Sequence, residues 1–95
     1  MQVTITIQQL INSARLSRKA YAAMCEGANA TPDLRAVFLA ALAYNEEQAN
    51  TIPALGTTDI FGEEWTAHRR MIEGNEHGDA HSEIITLARA VGVEL

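Results

Sequence analysis

The sequence predicts an all-α fold: a small four-helix bundle-like domain preceded by a short N-terminal extended arm or strand. Three observations predict it. The one unbroken apolar run, Ala36–Tyr44, sits behind a helix-start signal. Apolar residues recur at helical spacing on both sides of it. Aromatics are only 5% of the chain, so Leu, Ile, Val and many Ala must fill the core, a composition with high helix propensity. With 95 residues, 47% hydrophobic and 20% charged, the chain reads as one globular domain with a modest core.

Taken in order, Val3, Ile5 and Ile7 alternate with Gln2, Thr4 and Thr6, the period of a strand. A lone strand leaves its backbone donors unpaired. Residues 1–7 are therefore either a strand paired with Val91–Leu95, a second subunit or another protein, or an arm anchored by its isoleucines. Thr6 and Gln9 match a capping box. Behind it, Ile7, Leu10, Ile11, Ala14, Tyr21, Met24 and Cys25 share one stripe, predicting a first helix over 7–26 that ends at Gly27. Ser17 and Arg18 interrupt that stripe.

The central helix is predicted over 32–51. Thr31 supplies the cap, Pro32 suits the first helical position, and Asp33 complements the helix dipole. Being apolar nearly all round, this helix is expected to be surrounded by helices one, three and four, through Leu34, Val37, Phe38, Ala41 and Leu42. After Tyr44 it turns polar, and Pro53 stops it. The longest irregular stretch follows, 52–62. Its Ile52, Leu55, Ile60 and Phe61 are expected to cover one end of the bundle, as a lid or a contact surface.

A third helix is predicted over 63–73, with Trp65, His68, Met71 and Ile72 on one face and Gly74-Asn75 as its stop. Asp79 is expected to cap a fourth helix over 80–91. Ala80, Ile84, Leu87, Ala88 and Val91 form its buried stripe, and Gly92 ends it.

The net charge of −5 argues against nucleic acid as a partner. Charge is also uneven: four bases face two acids up to Asn45, and three bases face ten acids from Glu46 onward. This suits head-to-tail self-association or a basic partner. A single cysteine excludes an internal disulfide and fits a reducing cytoplasm, and Cys25 beside Met24 reads as a buried thiol. No charged-then-apolar leader is visible, and the apolar run is too short to cross a bilayer, so the expected location is cytoplasmic, with no membrane partner.

Candidate chemistry is sparse. Ser13, Ser17 and Ser82 lack any elbow or triad context, and the glycines stand singly, away from any phosphate loop. His77, Asp79 and His81 are the densest metal-type cluster, but zinc would need both histidines on a helix, and Gly78-Asp79 reads as a helix start between them. Glu47 is followed three residues later by Asn50, where a di-iron bundle needs histidine. No metal or cofactor is expected.

The leading expectation is a non-enzymatic protein-interaction module, oligomeric, that contacts another protein or its own copy through Glu46, Glu47, Asn50, Ile60, Phe61 and Trp65. Aromatic anchors ringed by charge are where binding energy concentrates. A phage or mobile-element inhibitor of a host defence complex is the setting this suggests. The first alternative is a binder of an anionic, nucleotide-like ligand, using Arg69 and Arg70 with Arg15, Arg18, Lys19 and Tyr21. The second is a metal-dependent enzyme built on His77, Asp79 and His81.

Overall fold

The computed structural model describes residues 6–95. It holds four helices: α1 Ile7–Ser13, α2 Arg18–Ala30, α3 Leu34–Ala49 and α4 Ala67–Ala90. Among the described residues the only β-pairing is an isolated antiparallel bridge between Thr58 and Glu64. The all-α class is as expected, but the chain is divided into helices differently. The strand expected over residues 1–7 lies outside the described residues except for its last two. There Thr6 closes the anticipated capping box with Gln9, and Ile7 opens α1.

The first predicted helix is two. It breaks at Ala14-Arg15-Leu16, because Ser17 turns its hydroxyl to the backbone N–H of Ala20 and caps α2. The Ser17 backbone N–H, freed by the break, donates to the Glu83 carboxylate on α4. The serine that interrupts the apolar stripe is thus a helix cap.

Gly27 does not end α2. An ideal Cβ there would overlap the Val37 carbonyl oxygen and stand 3.2 Å from the Ala41 nitrogen. This glycine is the point where the α2 and α3 backbones touch. Helix α2 ends instead at Thr31, which Pro32 holds in extended backbone. Thr31 is the C-cap of α2, not the N-cap of α3. Its hydroxyl accepts from the Asp33 N–H, and α3 starts at Leu34.

Predicted helices three and four are one helix of 24 residues. It starts at Ala67, where the Thr66 hydroxyl accepts from the Arg69 N–H. Gly74 and Gly78 keep helical backbone, and Asp79 caps nothing. Each glycine costs a helix interior about 1 kcal/mol relative to alanine. Tertiary bonds hold the segment helical: Lys19 meets Glu73 and Glu76, and Asn45 donates to the His77 carbonyl. Gly92 ends α4 in the left-handed region, as expected.

Phe38, Ile11, Met24, Ile84 and Val37 are fully buried, packed with Ala20, Ala23, Ala41, Ala80 and Ala88. The alanines bring the helices close. Helix α3 runs antiparallel to α4, since the Arg35 guanidinium meets the Glu94 carbonyl near one end and Asn45 meets His77 further along. The central helix is not surrounded: α2 and α4 cover two sides, while Leu39 stays 42% exposed and Ala43 is exposed. Cys25 is half-buried against the core.

Candidate functional site

Two features stand apart from the core. The first is the loop between α3 and α4. Thr57 and Trp65 pair through backbone, as do Asp59 and Glu63, which folds 56–65 into a narrow hairpin-like turn. Asp59 organises its tip. Its Oδ1 accepts from the Phe61 and Glu63 N–H groups at 2.9 and 3.0 Å, and its Oδ2 accepts from Arg69 at 2.9 Å. Partial burial raises the Asp59 pKa, but the bonds from Glu63, Arg69 and Phe61 outweigh it and hold the carboxyl below its ordinary value. Gly62 takes the left-handed conformation the turn requires.

Behind the tip, the Arg69 guanidinium lies 3.8 Å from the centroid of the Trp65 ring. Arg69, Trp65 and Asp59 thereby brace the turn on the first turn of α4. What the brace presents is apolar: Ile60 is 93% exposed and Phe61 83%. Contrary to the expectation from sequence, these two do not cover the bundle end, and Leu55 is exposed as well. Trp65 is the reverse. It is only 9% exposed and serves as a wall, its indole Nε1 without a hydrogen-bond partner among the described residues.

The second feature lies where α2, α3 and α4 meet. His77 is buried; Asn45 Oδ1 stands 3.2 Å from its Nδ1, and the Lys19 ammonium 3.5 Å from its Nε2. An ammonium only donates, so Nε2 carries the lone pair and Nδ1 carries the proton donated to Asn45. Burial, then the Lys19 charge, push the imidazole below its ordinary 6.5 and keep it neutral. Glu73 at 3.2 Å and Glu76 at 3.5 Å balance Lys19. A cavity of about 340 Å³ opens beside this centre, walled by Lys19, Tyr44, Gln48, Trp65, Glu73 and His77.

The sequence-predicted residues are distributed as follows. Glu46, Glu47 and Asn50 are exposed along the end of α3. Of the proposed anion-binding set, Arg15, Arg18, Tyr21 and Arg70 are exposed, and the Tyr21 hydroxyl donates to Asn12. Lys19 is held by two glutamates and Arg69 by Asp59 and Glu63. The structure does not gather these bases into one pocket. His77 and His81 are both helical, contrary to the expected break, but His77 has both ring nitrogens engaged while Asp79 and His81 are exposed. Among the described residues no group of three His, Cys, Asp or Glu is placed to hold a metal ion.

Asn45, Asp59 and Glu73 were not singled out from sequence. Asn45 had a signal: it continues the stripe Leu34, Val37, Phe38, Ala41 at helical spacing, a polar residue on a buried line. His77 likewise continues the stripe of Ala80, Ile84 and Ala88. Two polar residues on facing apolar stripes are a candidate buried pair. Comparison with protein-family models, with curated proteins and with solved structures gave no match. The functional reading therefore rests on the residues themselves.

Proposed function

We propose that the protein is a protein-binding module that grips its partner with the braced turn at 59–63. The observation that carries this is the near-complete exposure of Ile60 and Phe61 on a turn fixed by Asp59, Arg69 and Trp65. A large apolar pair in water is unfavourable, and burying both side chains on a partner would recover roughly 3–6 kcal/mol. Because the turn is already ordered, little of that is lost to ordering it on binding. The rim is acidic, with Glu63 and Glu64 exposed beside the tip, which favours a partner whose apolar pocket is edged by bases.

Inhibition of a host defence complex by a phage or mobile-element protein is one use of such a module, and the single-cysteine composition suits the cytoplasm. Among the described residues no helix is long and apolar enough to cross a membrane. The anionic-ligand alternative would draw on the cavity beside Lys19, whose ammonium is already shared by two glutamates.

The test compares wild type with an Ile60→Ser/Phe61→Ser double variant as baits in quantitative capture from host lysate. A partner held by wild type and lost by the variant, at unchanged helicity and Tm, supports the reading. Identical capture by both refutes it.

A further inference from the structure

Helix α4 changes character at Gly78. Beyond it Ala80, Ile84 and Ala88 are fully or almost fully buried in the core. Before it, over residues 54–77, only Trp65 and His77 are buried. That stretch is nevertheless well bonded within itself. Its backbone pairs Thr57 with Trp65 and Asp59 with Glu63, and Arg69 ties Asp59, Glu63 and the Trp65 ring to the start of α4.

Its attachment to the bundle is narrow. Among the described residues, every hydrogen bond and ion pair from 54–77 to α1, α2 or α3 ends on Lys19 or Asn45. Lys19 holds Glu73, Glu76 and the His77 ring, and Asn45 holds the ring and the carbonyl of His77. Segments that bury little apolar surface open at lower free energy than the core around them. Released from Lys19 and Asn45, the helix over 67–77 is too short to stand alone in water, and Gly74 within it lowers its propensity further. Release and melting are therefore one step, and the turn loses its Arg69 brace with them. Between this stretch and the bundle lies the cavity of about 340 Å³. Trp65, Glu73 and His77 wall it from one side, and Lys19, Tyr44 and Gln48 from the other.

We propose that residues 54–77 are a flap over this cavity that opens as one cooperative unit while the rest of the bundle stays folded, with Lys19 and Asn45 as its latch. The flap carries the turn at 59–63, but its opening does not depend on what that turn binds, and the free protein suffices to test it. Either reading can fail alone.

Native-state hydrogen exchange tests it. The amides of 70–77 and of Gly56, Asp59 and Trp65 should share one protection factor, about tenfold or more below those of α2 and α3. Asn45→Ala should lower the flap's protection about tenfold or more, and Lys19→Met about threefold or more, the turn and the helix moving together. Ile11→Val, a core change away from the flap, should lower protection in α2 and α3 about threefold and leave the flap's unchanged. Equal protection in flap and core would overturn the proposal. So would a flap unmoved by both latch variants, a turn and helix that respond separately, or a flap that loses protection with Ile11→Val.

Discussion

Replacing Gly27 by alanine should destabilise the fold, although alanine is the better helix former. The side chain added is one methyl group, but it points at the Val37 carbonyl oxygen and the Ala41 nitrogen, backbone atoms that cannot rotate away. Restoring ordinary contact requires α2 and α3 to separate by about 1 Å. That separation loosens Ala23 and Met24 against Val37, Phe38 and Ala41, all of them fully or almost fully buried. Overpacking of this kind costs about 1–3 kcal/mol, with an immobile backbone neighbour placing it at the upper end or beyond. Gly→Ala in a helix interior returns about 1 kcal/mol. The expected net loss is about 2 kcal/mol. Urea denaturation followed by helical circular dichroism measures it as a shift in midpoint at constant slope. The control is Gly74→Ala in dilute protein, where open space surrounds the new methyl and stability should rise by about 0.5–1 kcal/mol. A Gly27→Ala variant as stable as wild type, or more so, would show that the two backbones are not in contact and that the reasoning is wrong.

Three further outcomes follow from the polar contacts. Asn45→Ala leaves the His77 Nδ1–H and the His77 carbonyl without their partner in a buried site, and should cost about 2 kcal/mol in the same denaturation assay. His77 is held below 6.5 in the folded state, so unfolding takes up a proton as the medium becomes acid. Its contribution is complete above pH 6.5 and is lost as pH falls from there through the depressed folded value. The wild-type Tm should therefore drop more steeply over that window than the Tm of His77→Gln; parallel curves would count against a neutral, buried imidazole. Asp59→Ala removes the acceptor for two tip N–H groups and for Arg69. Hydrogen exchange at Phe61 and Glu63 should quicken about tenfold or more while exchange in α2 and α3 stays put, and unchanged exchange at the tip would show that Asp59 does not brace it.

Local signals were legible wherever structure depends on neighbours in sequence. The Thr6–Gln9 capping box, the left-handed Gly92, and the stripes Val37-Phe38-Ala41 and Ala80-Ile84-Ala88 all stand where periodicity and cap chemistry put them. So does the exposure of Glu46 and Glu47 after the apolar run. Gly27, Gly74 and Gly78 were misjudged, and for one reason. A glycine adopts helical or left-handed backbone at little difference in energy, so its sequence neighbourhood does not say whether it ends a helix or lets one pass another closely. Gly27 stays helical because α3 presses against it, and Gly74 and Gly78 because Lys19 and Asn45 pin the segment around them.

The candidate sites divide along the same line. That Ile60 and Phe61 are candidate contact residues could be read from an apolar pair in an irregular stretch. Which way they point could not, because that depends on Asp59 reaching Arg69 across ten residues and on Trp65 turning inward beneath them. The His77–Asn45–Lys19 centre was hidden further still, its members drawn from three helices and separated by 32 and 58 residues. By itself the sequence determined that this chain is helical and which faces are apolar, since those follow from spacing within a turn or two. Only the tertiary structure decided where helices end, which polar groups share a buried site and which apolar surface remains open, because each of these depends on atoms brought close from distant parts of the chain.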